Sequence, residues 1–248
     1  MLKVRHVESG TGADTILVAL VTDIHVGGEH VSADRVAEIV DRINALEPDL
    51  VLIPGDFIDG HTPKFERSRA FNKTVSAGLS GLARLDAPVF ATLGNHDSWY
   101  GAQAVRAMLE AAGVSVLDNA ASHWRDYCIA GLADSDTAQP TRAAFGACDA
   151  TDTVIAMMHS PDARSLLRAD TALAVAGHTH GGQVNLPLLG RAVTSTRCGK
   201  PCAYGWIQSD PPLYVSSGIG TSILPIRFRS PPEIVLVTLR HRRREGGP

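Results

Sequence analysis

An α/β fold follows from three features of the sequence. Short, almost uninterrupted apolar runs recur along the chain, as strands buried on both faces of a sheet require. Segments of helical period separate the early runs, giving the alternation that builds parallel sheets. Five of the runs stop at a tip carrying Asp, Asn or His, at the strand end where α/β folds bind their ligands.

Taken in order, residues 16–21 read as a strand ending at Thr22-Asp23-Ile24-His25. Ser32-Ala33-Asp34 opens a helix with Val36, Ile39, Val40, Ile43 and Leu46 on one face, and Pro48 lies just beyond it. The strand at 50–53 ends in Pro54-Gly55-Asp56. A polar stretch, 59–69, leads to a helix over 71–85 that contains Gly78 and Gly81. Residues 88–93 form a third strand running into Gly94-Asn95-His96-Asp97, and 103–112 a helix stopped by Gly113. Shorter strands follow at 114–117, 124–131 and 154–158, with helices at 141–145 and 161–168. The run 172–176 delivers Gly177-His178-Thr179-His180-Gly181-Gly182-Gln183, and strands near 183–186, 204–208, 213–217 and 234–239 complete the chain. One large domain over 1–240 and a basic, disordered tail over 241–248 are expected.

Composition narrows the function classes. With 248 residues, 44% hydrophobic and 20% charged, the chain can bury a sizeable core and falls among ordinary globular proteins. A net charge of −3 gives no general reason to expect nucleic-acid binding. The N-terminus lacks the apolar region of a signal peptide and no run reaches the ~20 apolar residues of a membrane span, so a soluble, cytoplasmic protein is expected, with peripheral membrane contact the most a membrane would offer. Four cysteines are too few for a disulfide scaffold at this length. Cys198-Gly199-Lys200-Pro201-Cys202 could close a small disulfide or hold half a metal site.

The strand tips together carry metal-ligand chemistry. Two imidazoles at i and i+2, His178 and His180, can face one pocket from an extended backbone. Carboxylates from Asp23 and Asp56, imidazoles from His25 and His159 and the amide oxygen of Asn95 bring the set to seven donors, enough for two adjacent ions sharing one carboxylate. Nitrogen and oxygen ligands without thiolate suit a catalytic site holding Mn, Fe, Zn or Ni rather than structural zinc. Two ions ~3.5–4 Å apart are a standard device for displacement at phosphorus.

Asp23-x-His25, Gly55-Asp56, Gly94-Asn95-His96-Asp97, His159 and Gly177-His178-x-His180, in that order, resemble the motif series of the calcineurin-like metallophosphoesterases. The GHTHGGQ form, with Tyr214-Val215-Ser216-Ser217-Gly218-Ile219-Gly220 and Leu224-Pro225-Ile226-Arg227-Phe228, is similar to the bacterial YkuE/YaeI-like phosphodiesterase branch. The resemblance implies a four-layered α/β sandwich of two mixed β-sheets flanked by helices. It implies one divalent ion on Asp23, His25, Asp56 and His180, and a second on Asp56, Asn95, His159 and His178. It further implies a dinuclear metal-dependent phosphohydrolase that cleaves a phosphodiester or pyrophosphate bond by attack of metal-activated hydroxide on phosphorus. Cleavage of UDP-diacylglucosamine, as in lipid A synthesis, is one alternative, and a non-catalytic metal-binding scaffold of the same fold another.

Three further expectations concern the surroundings. His96 is expected beside the ions, stabilising charge or donating a proton to the leaving oxygen. Asp97 either accepts the other N–H of that ring or serves as a helix cap. Arg227 suits a substrate phosphate or a salt bridge holding the C-terminal strands. His6, His30, His61, His123 and His241 are read as surface or loop residues, His61 close enough to Asp56 to reach a pocket rim. The apolar loop 185–190, with Leu188 and Leu189, is expected to pack on the core; its alternative is contact with an amphiphilic or lipid-linked phosphoester.

Overall fold

The computed structural model describes residues 2–62, 64–188, 190–191 and 193–241. Along the chain run β1 (Lys3–Ser9), β2 (Asp14–Leu20), α1 (Ala33–Asn44), β3 (Leu50–Pro54), α2 (Arg69–Gly81), β4 (Val89–Thr92), α3 (Asn95–Ala111) and β5 (Ser115–Val116). Then come β6 (Ala120–Trp124), β7 (Tyr127–Leu132), β8 (Thr153–Met158), β9 (Thr171–Ala176), β10 (Asn185–Leu186), β11 (Gly190–Arg191), β12 (Gly205–Ile207), β13 (Leu213–Val215) and β14 (Glu233–His241). Two six-stranded mixed sheets result, ordered β1-β14-β2-β3-β4-β5 and β12-β13-β9-β8-β7-β6. Strands β2 to β5 run parallel in the first, and β7, β8, β9 and β13 in the second.

Alternation of side chains divides each central strand between two cores. Val18 and Leu20 of β2 point between the sheets, where Ile155, Met157 and Val175 of the second sheet meet them. Ala19, with Val51 and Ile53 of β3, points outward under Ile39 and Val40 of α1, Leu79 of α2 and Val105 of α3. Beyond the second sheet, Ala130, Ala156 and Ala174 are covered by 3₁₀ segments at Arg142–Phe145 and Pro161–Leu166. The layering is therefore helices, sheet, sheet and short turns. Helix starts follow the expected chemistry: Ser32 accepts from Arg35 N and Ser68 from Phe71 N. Gly78 sits inside α2 because a Cβ there would lie 2.6 Å from Val26 Cγ1.

Four expectations need correcting. The helix expected over 103–112 starts at Asn95 and bends at Gly101, whose φ of 135° no helix interior adopts. The run 124–131 is not one strand but parts of β6 and β7, joined through Arg125 at φ 52°; positive φ is what a tight hairpin turn requires. The 3₁₀ segments 142–145 and 161–166 replace two of the helices, being too short for α-helical cooperativity. Arg240 and His241 belong to β14, and the His241 ring is buried against the Tyr127 hydroxyl (2.9 Å); the rest of the expected tail lies outside the described residues. Strand β1, paired in parallel with β14, went unread.

The cysteines pair as Cys128–Cys148 and Cys198–Cys202. The second takes the disulfide alternative for the CxxxC, and the first ties β7 to the loop after the Arg142–Phe145 turn. No helix among the described residues is long and apolar enough to cross a membrane.

Candidate metal centre

The parallel strands of both sheets end along one edge, and backbone hydrogen bonds sew the following loops together. Asp23 N donates to Gly55 O (3.1 Å), His25 N to Asp56 O (3.0 Å), Gly177 N to His159 O (3.0 Å) and Gly220 N to Asp23 O (2.7 Å). Five of the seven candidate ligands occupy the left-handed region: Asp23 (φ 51°), His25 (54°), Asp56 (55°), His178 (69°) and His180 (51°). Such backbone reverses the chain and turns each side chain back over its strand end. It costs of order 1–3 kcal/mol per residue, a strain that collects at functional sites. The glycines of the motifs have a matching cause. A Cβ on Gly94 would lie 2.2 Å from Asp56 Oδ1, and one on Gly177 2.4 Å from Asp23 Oδ2.

All seven predicted donors come together in two groups that share Asp56. In one, His159 Nε2 lies 3.2 Å from Asp56 Oδ2, 3.1 Å from Asn95 Oδ1 and 3.0 Å from His178 Nδ1. In the other, His25 Nε2 lies 3.2 Å from His180 Nε2 and 3.6 Å from the same Asp56 Oδ2, while His180 Nε2 is 3.7 Å from Asp23 Oδ1. Protons cannot satisfy this arrangement. A single N–H on His159 faces three acceptors, whereas a cation at the centre of each group would meet every lone pair. The residues present thus fit a pair of divalent ions, with Asp56 Oδ2 at the junction.

Electrostatics in the metal-free protein show the same strain. Burial works against charge on Asp56 and His159, yet their close pairing holds the Asp56 carboxyl well below, and the His159 imidazole well above, their ordinary values. Burial pushes Asp23 up to about 7 and His25 down to about 3. Burial, the neighbouring His25 and Arg227 keep His180 well below the usual histidine range. Supports behind the donors fix their aim: His159 Nδ1 faces the Pro54 carbonyl at 2.9 Å, and His178 N donates to both Asp23 oxygens (3.0 and 3.1 Å). His25 Nδ1 is buried with no hydrogen-bond partner among the described residues.

His96 is buried at the start of α3, edge-on to His25 with ring centres 4.5 Å apart. Its Nδ1 accepts the Gly60 N–H (3.2 Å), which leaves the proton of the neutral ring on Nε2; burial lowers its pKa to about 4. Asp97 does not touch this ring. Its carboxylate takes N–H bonds from Phe57 (2.9 Å), Ile58 (3.2 Å) and Gly94 (2.9 Å), the cap role, because the first turn of α3 aims it at orphan amides of the neighbouring loop. Arg227 meets neither expectation. Its guanidinium donates to the carbonyls of Gly220, Ser217 (2.8 Å) and Ser230 (3.1 Å) and lies 3.2 Å from His180 Nδ1, so its donors are taken up inside the protein.

A cleft of about 730 Å³ opens over Asp56, Asn95, His96, His178 and His180. Acidic residues of the second sheet's loops line part of it: Asp134, at the tip of β7, with Asp136 and Asp162. Apolar residues line another part: Val184, Val193, Ile223, Leu224 and Ile226. His61 and Ser222 also reach the cleft. Asp134, two residues beyond the end of β7, escaped the sequence reading, although a polar residue closing an apolar run was the available signal. Ser222 had none, since only the fold brings 220–228 to the site. The loop 185–190 does not pack on the core: Leu188 is fully exposed and Leu186 partly so, while Leu189 lies outside the described residues.

Comparison with known proteins agrees with this geometry. The family model of the calcineurin-like phosphoesterases matches residues 16–182. The uncharacterized metallophosphoesterase YkuE of Bacillus subtilis is 29% identical over 92% of this chain and 80% of its own length. The phosphodiesterase YaeI of Escherichia coli is 30% identical over 78% and 71%. A Caenorhabditis elegans protein named as a metallophosphoesterase is 29% identical over 96% of this chain, which spans only 51% of that relative. The crystal structure of a dimetal phosphatase from Danio rerio superposes with a TM-score of 0.53 at 12% identity, over 82% of this chain and 87% of that one, a likeness of fold. Family match, order of motifs and convergence of the strand tips lead to one conclusion: the chain belongs to the calcineurin-like phosphoesterases, whose members use a dinuclear metal centre.

Proposed function

We propose that the protein hydrolyses a phosphodiester or pyrophosphate bond with two divalent ions, one held by Asp23, His25, Asp56 and His180 and the other by Asp56, Asn95, His159 and His178. The supporting observation is Asp56 Oδ2, placed 3.6 Å from His25 Nε2 and 3.2 Å from His159 Nε2, where one carboxylate oxygen serves both groups. When bound, the ions supply an activated water as nucleophile and positive charge against the phosphoryl oxygens. His96, with its proton on Nε2, donates a hydrogen bond to the charge that develops at phosphorus. Thr22 and Asp97 hold the loops in place, Thr22 Oγ1 donating to Pro54 O (3.0 Å) and the Asp97 carboxylate accepting from the Phe57, Ile58 and Gly94 amides.

The apolar lining favours a substrate with an acyl or other hydrophobic portion. Ile223 is 81% exposed, and Leu224 and Ile226 more than half, yet their loop is firmly held. Gln183 Nε2 donates to Ser222 O (3.0 Å) and Leu224 O (2.7 Å), and Gln183 Oε1 accepts from Ser222 N (2.9 Å). A loop braced with its apolar side chains outward, on the wall of a reaction cleft, presents them for binding. Two disulfides also favour an oxidising compartment over the cytoplasmic one expected from the N-terminal sequence.

Elemental analysis of purified protein, followed by assay of bis(p-nitrophenyl) phosphate with added Mn, Fe, Zn or Ni, tests the reading. Two metal equivalents per chain and activity abolished by chelation are expected. Full activity in chelator-treated, metal-free protein would overturn it.

A further inference from the structure

We propose that the outer edge of the rim docks the protein on an anionic lipid bilayer through Leu186, Leu188, Phe228 and Arg229. The inference goes beyond the hydrolase reading and does not depend on it. Two paired segments carry these residues. The β10–β11 hairpin lies beside the end of the rim loop: Asn185 N donates to Phe228 O (2.8 Å), Phe228 N to Gln183 O (2.9 Å), and Val184 faces Phe228 across a parallel bridge. Alternation along extended backbone puts Val184 and Leu186 on one face, with Ile226 and Phe228 beside them. Arg227, between the latter two, points the other way, into the protein. Val184 and Ile226 line the cleft, whereas Leu186, Leu188 and Phe228 are exposed without lining it. An apolar strip therefore runs from the cleft out to the tip of the hairpin.

Backbone strain keeps the end of that strip in solvent. Leu188, fully exposed between Leu186 and Gly190, has a φ of 67°, a true outlier for a bulky side chain. Strain of this kind persists where the surroundings hold it, and it collects at sites that bind. Exposed apolar patches mark protein or membrane contacts.

Charge decides between those occupants. Of the chain's 26 acidic residues only Asp210 falls between 171 and 232, a stretch that carries Arg191, Arg197, Lys200, Arg227 and Arg229. The acids Asp134, Asp136 and Asp162 that line part of the cleft come instead from the loops after β7 and β8. Arg229 is exposed, and its guanidinium lies 5.9 Å from the centre of the Phe228 ring. A guanidinium beside an aromatic ring and bare leucines matches the boundary between anionic headgroups and acyl chains. A second copy of the chain would bring two basic, acid-poor faces together, which like charge opposes. A bilayer supplies both the apolar and the anionic partner, and it places the mouth of the cleft at the lipid surface.

Purified protein should be sedimented with phosphatidylcholine vesicles, with and without phosphatidylglycerol, at low and at physiological salt. Binding is expected on the anionic vesicles, weaker on the neutral ones and weaker as salt rises. Leu188→Ser combined with Phe228→Ser should lower the partition coefficient at least about tenfold on both. Arg229→Gln should lower it about fivefold on the anionic vesicles alone. In Leu188→Trp, brominated lipid should quench the added fluorescence, a readout that does not rely on loss of binding. No binding by the wild-type protein, equal binding by all variants, or a lipid-free dimer that the same substitutions dissolve would overturn the proposal. Vesicle binding needs no turnover, so inactivity on every phosphoester would remove the hydrolase reading alone.

Discussion

The floor and the rim of the cleft are built on opposite principles. The floor is polar, buried and strained: Asp23, Asp56 and His159 are almost wholly removed from water, and five donors stand on left-handed backbone. The rim is apolar, exposed and held by hydrogen bonds between segments some forty residues apart, such as Gln183 to Leu224. On the floor, polar groups are kept where desolvation penalises them; on the rim, apolar groups are kept where water does. Both arrangements oppose solvation, and under the proposed function both would be relieved by a ligand, ions below and a hydrophobic group above.

Breaking the floor should have the largest effect. Asp56→Asn removes the oxygen shared by the two donor groups, so activity on an aryl phosphodiester and metal content should fall together while the circular dichroism spectrum stays native. Retention of two metal equivalents in this variant would dissolve the distinction between floor and rim. Gly94→Ala attacks the same place from the backbone. Its Cβ would stand 2.2 Å from Asp56 Oδ1 and 2.6 Å from Asp56 N, contacts that only a shift of the loop relieves. An overpacking cost of about 1–3 kcal/mol in urea denaturation is expected, together with weaker metal retention on dialysis.

The two regions differ as much in how far the sequence discloses them. Each floor residue follows its own apolar run within a few positions, Asp23 after 16–21 and Asp56 after 50–53, so periodicity and donor chemistry are enough to find it. The paired sheets were legible for the same reason. What escaped depends on distant segments or on single turns. Arg125 converts one apparent strand into a hairpin, and Asp134 reaches the cleft from the loop beyond it. Asp97 lies three residues into α3, where the helix start, not the neighbouring imidazole, decides its partners. Arg227 looked like an anion ligand because guanidinium matches phosphate, but the fold surrounds it with carbonyls instead.

Arg227 joins the two regions and should give an intermediate effect. It reaches from the rim loop to His180 Nδ1 below, and burial lowers its pKa to about 10. Arg227→Met keeps much of the bulk but leaves the carbonyls of Ser217, Gly220 and Ser230 without this donor. With about 1–3 kcal/mol for a buried polar group left unsatisfied, urea denaturation should report a loss of about 2 kcal/mol. Metal affinity should fall as well, since His180 is no longer held; a stability loss with unchanged affinity would separate floor from rim completely.

Softening the rim should have the smallest effect on the protein and the most selective one on its chemistry. Leu224 and Ile226 are 54% and 56% exposed, so replacing both by Ser should leave thermal stability almost unchanged. Covering the exposed half of each with an acyl chain is worth about 1 kcal/mol, close to thirtyfold in KM for the pair. The double variant should therefore raise KM by about that factor for a phosphodiester bearing a long acyl chain, and by far less for a short-chain analogue, with kcat little altered. If both substrates suffer alike, the loop shapes the cleft without contacting a chain; if neither does, the exposed side chains serve some occupant other than the substrate. Only a dependence on chain length would tie the rim to the same molecule that the floor is proposed to cleave.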